Sequence, residues 1–493
     1  MRGNATDFAA VVVLAMALLF WPSIRAGATE PLPPATATIH TADAADQSVR
    51  LLARKPFLSN PAAHADAPEI VFVAQQDGTQ GSAGGNAQTG AGMGQMDSNG
   101  VVSGNPGASN VVVGTGWLGD YLGINRNGWR FAGLNITDAN GLSGGVVPGW
   151  TANALTIVDI SLDLEESMGW ENGLVGGELL YYSGGPTNQN AGSVMGYNSL
   201  DIDIHHRAEI YALWYRHHFA DNRLSIRIGK TITTYDFNNV VVGAALNDAA
   251  YDIAAVSSLI FTPLYLSPTQ YNVVPGYFNS ATGVVTTWIP IKQTYIKYGL
   301  YDGNLAAGRQ VGTEGPRFNG YVLHMVETGC SWGLDKGELT GKFGVGYWAQ
   351  TGVLQAASGP VDGAQGIYLF GSQRLTYEHR DVTNEGLLAY FQFAGTNSAF
   401  VDTQRYFGCG LTYIGLLPGR DDDSVGWGLA YGKMSDDPAL DLGADEAILS
   451  WYYQWMVGPN CFLQPNISYI PNPADSPGIP SALPVTLRAI LLF

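Results

Sequence analysis

The sequence predicts an all-β fold, a transmembrane antiparallel β-barrel of about sixteen strands with a disordered N-terminal extension. Three observations predict it. Hydrophobic residues make up 46% of the 493 residues and charged residues only 13%, yet no apolar run after the N-terminus reaches the roughly 18 residues that a membrane-spanning helix needs. Apolar and polar residues alternate along much of the chain, which is the period of a β-strand. The chain also ends on an apolar strand.

The final stretch, residues 484–493, shows the strand period most simply. Leu487, Leu491 and Phe493 fall on one face, whereas Thr486 and Arg488 point to the other. In an outer-membrane barrel the last strand pairs with the first strand and closes the cylinder. A soluble sheet can also end on such a strand, so the rest of the chain has to decide between the two.

The same alternation recurs between residues 111 and 493. One face carries Arg, Lys, Asp and Glu side chains, while the opposite face is apolar and aromatic. A soluble β-sandwich would alternate in the same way, but its apolar face needs a second sheet to cover it. An export signal and the 25 Tyr and 12 Trp residues instead favour lipid contact and aromatic girdles. The clearest segments are 159–164, 209–218, 223–229, 292–301, 339–349 and 367–378.

Chain length sets the expected number of strands. At ~10 residues per strand plus turns and loops, residues 111–493 allow on the order of sixteen strands. A barrel of that width leaves an aqueous lumen, whereas a barrel of about eight strands fills its interior with side chains. The physical expectation is therefore a pore.

Three regions are predicted along the chain. Residues 1–28 form a secretory signal peptide, because Arg2 precedes a short apolar run and small residues lead up to a cleavage site after Ala28. Residues 29–107, rich in Ala, Gly, Gln and Pro, predict a flexible periplasmic extension that cannot bury enough apolar surface to fold alone. Residues 108–493 form the predicted outer-membrane β-barrel domain.

Charge and cysteine content argue against several classes of protein. The formal net charge of −18 argues against nucleic acid as a partner, because nucleic acids attract basic surfaces. Cys330, Cys409 and Cys461 are odd in number and widely spaced, which fits neither a disulfide framework nor a metal motif. One pair could still bridge in an oxidising compartment. No cofactor is expected.

Several stretches resemble the carbohydrate-selective porins of the OprB type. The resemblance spans residues 116–493 with the segments in family order, and it implies a sixteen-stranded outer-membrane barrel through which monosaccharides and similar small polar solutes diffuse. One departure is that Arg216 and His217 follow the Leu-Trp-Tyr run, where the family usually has an acidic residue. The stretches that carry the resemblance are 116–124, 141–145, 162–170, 209–215, 221–230, 366–370, 413–420 and 463–473.

The polar phase of the strands predicts which side chains line the lumen. Charged groups would hydrogen-bond the hydroxyls of a sugar, and aromatic rings would stack on its apolar ring faces. The alternative is that inward charges only pair with one another to satisfy the wall. The candidates are the basic residues Arg216, Arg227, Lys297, Arg374 and Arg488, the aromatic residues Trp214 and Trp348, and the acidic residues Asp159, Asp163 and Glu378.

Other interpretations remain open at this stage. Asp201, Asp203 and His205 share one face and could hold a metal, but no known ligand spacing is present and a polar surface loop is the favoured interpretation. No catalytic residue is predicted. A barrel-borne hydrolase would need a Ser/His or Asp/His constellation, and a structural or export-associated barrel is the other alternative.

The expected partners follow from this placement. They are carbohydrate solutes in the lumen, outer-membrane lipid and lipopolysaccharide around the barrel, and a periplasmic partner for the N-terminal extension. Monomer and homotrimer are both compatible with the sequence.

Overall fold

The computed structural model describes most of the chain from Gly116 to Phe493. The predicted signal peptide, the extension 29–107, Asp203 and Glu378 lie outside the described residues, so the predicted boundaries at 28 and 107 stay predictions. The described ranges are 116–201, 205–220, 223–233, 236–237, 241–242, 253–254, 279–291, 294–307, 315–334, 339–376, 385–421, 423–458, 460–476 and 478–493.

Sixteen antiparallel strands close into a barrel, which confirms the predicted fold class. Each strand pairs with its neighbour in the chain, except that β5 pairs with β8 because a separate two-stranded hairpin, β6 and β7, lies between them. The strands are β1 Trp129–Gly144, β2 Gly149–Asp163, β3 Gly173–Gly184, β4 His206–Phe219, β5 Leu224–Thr231, β6 Val241–Val242, β7 Ile253–Ala254, β8 Ala281–Trp288, β9 Thr294–Asp302, β10 Val322–Leu334, β11 Leu339–Ala356, β12 Gly359–Arg374, β13 Gly386–Thr396, β14 Thr403–Ile414, β15 Ser424–Met434, β16 Asp445–Gly458, β17 Cys461–Tyr469 and β18 Ala482–Leu492.

The helical elements of the described residues are short. They are α1 Trp117–Tyr121, α2 Leu164–Met168 and α3 Thr187–Ala191, together with the 3-10 turns Asn304–Ala307 and Pro473–Asp475. No helix in the described part of the chain is both long enough and apolar enough to cross a membrane. In chain order, α2 lies between β2 and β3, and α3 lies between β3 and β4.

The last strand closes the barrel against the first, as the sequence predicts. Strand β18 pairs with β1 in a register that runs from Leu134 opposite Leu492 to Gly144 opposite Ala482. The backbone of Phe493 exchanges two hydrogen bonds of 2.8 Å with Gly133. A side chain at Gly133 would meet the Phe493 ring at 2.3 Å, so this position of the seam has room only for glycine.

The two faces of the strands differ in chemistry. On β18, Leu487 is 51% exposed and faces outward, whereas the neighbouring Arg488 is fully buried and faces inward. Outward apolar side chains suit contact with lipid, and inward polar side chains suit an aqueous interior. The same division holds on β4, where Leu213 is exposed and Trp214 is buried.

One residue departs from the predicted alternation because of a β-bulge. The alternation of apolar and polar residues over 209–218 predicts that Tyr211 points outward, on the same face as Leu213. In the structure Glu178 pairs with Ala212 and Leu179 with Ile210, so Tyr211 is an extra residue in β4. A bulge reverses the direction of the side chains on one side of it. Tyr211 is therefore buried inside the barrel.

A short turn between β14 and β15 is fixed by a compact polar cluster. Arg420 donates to both carboxylate oxygens of Asp423 at 2.7 and 2.8 Å. The amide of Met456 and the hydroxyl of Tyr453 also donate to this carboxylate. Burial raises the pKa of Asp423, but the hydrogen bonds from Arg420, Tyr453 and Met456 outweigh it, so the pKa lies below the ordinary value.

All three cysteines are free. Cys330 lies on β10, Cys409 on β14 and Cys461 on β17, each half-buried. None of the three cysteines forms a disulfide bond with another in the structure.

Candidate functional site

Basic side chains lie on the inner wall between β4 and β12. We call the set of one cation each from β4, β5, β9, β11 and β12 the basic arc; β4 carries a second buried cation, Arg207, which pairs with Glu209. Each side chain of the basic arc is at most 9% exposed. Four of them were predicted from the sequence as lumen residues, and the fifth, on β11, was not. The basic arc consists of Arg216, Arg227, Lys297, Lys342 and Arg374.

Two arginines of the basic arc lie side by side over one indole ring. Arg216 on β4 is directly opposite Arg227 on β5, a position in which like charges repel. The guanidinium carbons lie 5.7 and 5.4 Å from the ring centroid of Trp214, within the range of cation–π attraction. Trp214 therefore offsets part of the repulsion and is positioned as predicted, on the inner face.

An aspartate from the connection between β5 and β8 reaches into the same arc. The carboxylate of Asp236 forms an ion pair with Arg227, and its backbone carbonyl accepts a hydrogen bond from the ammonium of Lys297. The adjacent Phe237 is fully buried and covers Gly299 on β9. The connection thus folds inside the barrel at this point. Asp236 keeps 13% of its side-chain surface exposed, more than its partner Arg227.

The far end of the arc is organised around a buried glutamate. Glu327 on β10 lies opposite Lys297 in the sheet. Its two oxygens accept hydrogen bonds of 2.9 Å from the hydroxyls of Tyr295 and Tyr368. The ammonium groups of Lys297 and Lys342 lie 5.3 and 5.9 Å from the ring centroid of Tyr295. This part of the wall therefore alternates charge and aromatic surface, which is the chemistry expected for sugar contact.

A second polar group lies at the closing seam. Arg488 on β18 forms a bidentate pair with Asp138 on β1, with distances of 2.8 and 2.7 Å, and both side chains are fully buried. Asn198, from the connection between β3 and β4, donates to Asp138 and to Asn140 at 2.9 Å. Arg488 is therefore inward as predicted, but it is held by protein groups of the wall and of an inward connection.

An amide network continues from this seam toward β3. Asn140 donates to Asn153 at 2.9 Å, and Asn153 donates to the hydroxyl of Tyr182 at 2.7 Å. The hydroxyls of Thr486 and Thr187 donate to Asn140 and Asn153 at 2.7 and 2.6 Å. Buried polar groups stabilise a fold only when they are satisfied. This network ties the seam to the inward connection.

Residues 185–201, which follow β3, pack inside the barrel. Of these, Leu200 joins the buried cluster of inward apolar residues on β1 and β2. Met195 covers Gly432 on β15, where a side chain would meet its sulfur at 2.4 Å. We call residues 185–201 the inner loop. Because it contacts the inner face of β1, β15, β16 and β18, it narrows the space that sixteen strands would otherwise enclose.

Glu446 on β16 fastens the inner loop. One carboxylate oxygen accepts from the hydroxyl of Ser193 at 2.7 Å and the amide of Met195 at 3.0 Å. The other accepts from the amides of Val194 at 3.0 Å and Ala474 at 2.7 Å. Four donors on one buried carboxylate make a strong anchor. It joins the inner loop to the connection between β17 and β18.

The remaining predicted wall residues have different surroundings. Asp159 is fully buried on the inner face of β2, opposite Glu178. Trp348 is inward and lies flat over Gly366, where a side chain would meet the indole nitrogen at 2.6 Å. Asp163 ends β2 and accepts hydrogen bonds from the first amides of α2, so it caps a helix at the rim and is not part of the basic arc.

Of the tentative metal cluster, Asp203 lies outside the described residues. Asp201 accepts a hydrogen bond from the amide of Asn188 within the inner loop. In the described residues, no three His, Cys, Asp or Glu side chains converge as a metal site would require.

The geometry defines the class of the protein: a sixteen-stranded transmembrane barrel whose interior carries charged, amide and aromatic groups. The sequence matches the carbohydrate-selective porin, OprB family, over residues 156–489. The chain therefore belongs to that family, and it is a carbohydrate porin of the outer membrane. Family and fold indicate a channel rather than an enzyme.

Similar solved structures are those of outer-membrane channels, and the first of the following supports the fold. The high-pH structure of Pseudomonas putida OprB has a TM-score of 0.66 at 18% identity, over 76% of this chain and 97% of that chain. The low-pH structure of the same protein has a TM-score of 0.49 at 14% identity, over 76% and 96%. The outer membrane channel DcaP of Acinetobacter baumannii has a TM-score of 0.43 at 12% identity, over 74% and 97%. A comparison with curated proteins gave no match.

Proposed function

We propose that monosaccharides and similar small polar solutes diffuse through the barrel and contact the basic arc on the way. The observation that carries this proposal is the pair of guanidinium groups of Arg216 and Arg227, which lie side by side on the inner wall. Guanidinium groups offer several hydrogen-bond donors for the hydroxyls of a sugar. Contacts of this kind favour entry without holding any one solute long enough to slow its exit.

Of the other predicted wall residues, some are proposed to contact the solute and others are not. Lys297 and Arg374 belong to the basic arc and extend the polar path over several strands. Arg488 forms part of the wall around that path, because Asp138 holds it through two hydrogen bonds, and we place Asp159 and Trp348 in the same wall. Glu378 keeps its predicted place in the lumen as a proposal. Asp163, which caps α2, is not proposed to meet solute.

The experiment is sugar block of the ion current through the purified full-length protein in planar bilayers. A monosaccharide should reduce the current, and Arg227→Ala or Arg374→Ala should weaken that block without preventing assembly. Arg405→Ala is the matched control, because Arg405 lies exposed on the outer face of β14. If the block is the same in both lumen variants as in the wild type, the basic arc does not contact the sugar.

The same measurement separates the alternative functions. An open channel without any sugar block would favour a general pore, and the absence of channels would favour a structural or export-associated barrel. A barrel-borne hydrolase would show turnover of a substrate without conductance. We propose further that lipopolysaccharide surrounds the outer rim and that the extension 29–107 meets a periplasmic partner. Chemical crosslinking of the purified protein distinguishes a monomer from a homotrimer.

A further inference from the structure

The outer surface of β1 and β2 is polar at mid-height, where the outward side chains of a barrel meet lipid tails. Asn135 and Thr137 lie on β1, and Thr156 lies on β2 directly opposite Asn135. Each of the three is partly exposed, whereas the inward neighbours Leu134 and Ile136 are fully buried. The division into apolar outside and polar inside is therefore reversed at this place in the wall.

Two exposed tryptophans place this polar group near the middle of the membrane-spanning wall. Trp129 begins β1 and is 49% exposed, and Trp150 on β2 is 81% exposed and lies against Gly141 of β1. Aromatic girdles mark the two membrane interfaces of a barrel. Asn135 comes six residues after Trp129 and six before Gly141. Twelve residues of a strand tilted at ~45° rise about 28 Å, close to the ~25 Å apolar band, so Asn135 stands midway between the interfaces.

The three polar side chains bond to one another and keep one donor and one acceptor. Asn135 donates through Nδ2 to Thr156 Oγ1 at 2.8 Å and to the carbonyl of Leu155 at 3.3 Å. Its Oδ1 accepts from the hydroxyl of Thr137 at 3.1 Å. A hydroxyl that accepts still has its proton to donate, and an amide oxygen has two lone pairs. Among the contacts of the described residues, the Thr156 proton and one Asn135 lone pair therefore remain for a group beyond these three.

Lipid tails cannot satisfy these two groups, because they offer neither donors nor acceptors. Contacts between membrane helices combine small residues, which let the backbones approach, with Thr and Asn side chains that hydrogen-bond across the contact. The same physics applies to strands. Ala139 and Ala154 are the outward neighbours of the polar group, and the larger Leu487 on β18 and Tyr181 on β3 flank it. We call the following residues the polar face: Asn135, Thr137, Ala139, Ala154 and Thr156.

We propose that a second copy of this chain docks on the polar face and forms a dimer about a two-fold axis along the membrane normal. Two copies inserted in the same direction meet at equal depth, and Asn135 and Thr156 lie at nearly equal depth because they are opposite in the sheet. The Thr156 hydroxyl of each copy then donates to Asn135 Oδ1 of the other, which gives two equivalent hydrogen bonds. The polar face is uncharged and self-complementary, as an interface of this symmetry requires.

The inference concerns the outer surface of the barrel and does not depend on sugar contact in the lumen. The two proposals can therefore fail separately. A monomeric barrel whose current is blocked by sugar would contradict the dimer alone.

The experiment is disulfide crosslinking of the full-length protein in lipid vesicles. The background replaces Cys330, Cys409 and Cys461 by alanine, and Ala154→Cys then adds one thiol beside Thr156. The matched control keeps only the native Cys409, which shares the outward face of β14 with Leu411 and lies five strands from β1. Oxidation with copper phenanthroline and a non-reducing gel give the yield of covalent dimer at several lipid-to-protein ratios.

We expect Ala154→Cys to form far more covalent dimer than the Cys409 control at every ratio. Adding Asn135→Leu and Thr156→Val should make the lipid dilution that halves the yield roughly eightfold smaller, because two interchain hydrogen bonds of the average strength measured in membranes are lost. Equal yields in Ala154→Cys and the control would overturn the inference. A yield that the two apolar substitutions leave unchanged would overturn it as well.

Light scattering of the wild-type protein in a mild detergent gives a readout that needs no variant. The mass of a dimer supports the inference, and the mass of a monomer or of a trimer overturns the two-fold arrangement. If Ala154→Cys fails to assemble, this mass decides the question.

Discussion

Replacement of Glu446 by glutamine should release the inner loop and enlarge the channel. The four donors on Glu446 are shared equally between its two oxygens. Glutamine keeps one oxygen and places an amide NH2 at the other. In either orientation one backbone amide of the inner loop, that of Met195 or of Val194, then faces a donor, whereas the Ser193 hydroxyl can turn to accept and Ala474 lies outside the loop. A buried donor left without its acceptor costs about 1–3 kcal/mol, and the docked loop should lose about that much relative to the released loop.

The assay is single-channel conductance of the variant in planar bilayers. Because 1.4 kcal/mol is tenfold in an equilibrium constant, the released loop should be roughly five- to hundredfold more populated than in the wild type and should appear as steps to a larger conductance. Asp445→Asn is the matched control, since Asp445 is the neighbouring residue and accepts from the exposed hydroxyl of Tyr431 at 3.0 Å. A folded Glu446→Gln protein with wild-type conductance and no added current steps would refute the role of the inner loop.

Three further predictions concern stability and the predicted regions. Asp138→Asn should destabilise the barrel by about 3–5 kcal/mol, because it leaves the buried charge of Arg488 without its charged partner. Chemical unfolding in detergent measures this loss, and an unchanged denaturant midpoint would contradict the prediction. Deletion of 29–107 should leave single-channel conductance intact, and loss of the channel would show that this region belongs to the pore. The pKa of Asp423 is lowered in the folded protein, so its ionised carboxylate stabilises the fold above the ordinary carboxylate pKa, and this stabilisation is lost as pH falls below about 4. The melting temperature should therefore fall less on acidification in Asp423→Asn than in the wild type.

The fold was predictable because it depends on a two-residue period that the chain repeats. The alternation on β18 places Leu487 outward and Arg488 inward, and the structure agrees. The same period placed Arg216, Arg227, Lys297 and Trp348 on the inner face. It failed at Tyr211 because a bulge adds one residue to β4, and no composition signal marks that residue.

The arrangement of the interior was less predictable. The sequence indicates a wide lumen, but it does not indicate that the inner loop and the short segment at Asp236 and Phe237 lie against the inner wall. Asn198, Asp236 and Glu446 become important only through contacts with residues far along the chain. The amide-rich stretch 187–201 was a usable signal, because so many hydrogen-bonding groups close together suit a buried network. Lys342 was missed as a wall residue although its phase on β11 matches that of Trp348.

The claim that monosaccharides contact the inner wall is tested most directly by the current through a single purified channel as a monosaccharide is added. The barrel, the inward polar wall and the paired guanidinium groups of Arg216 and Arg227 lead us to expect an open channel whose current falls as the sugar occupies the wall, with a weaker fall in Arg227→Ala. A channel whose current is indifferent to monosaccharides at every concentration would contradict it.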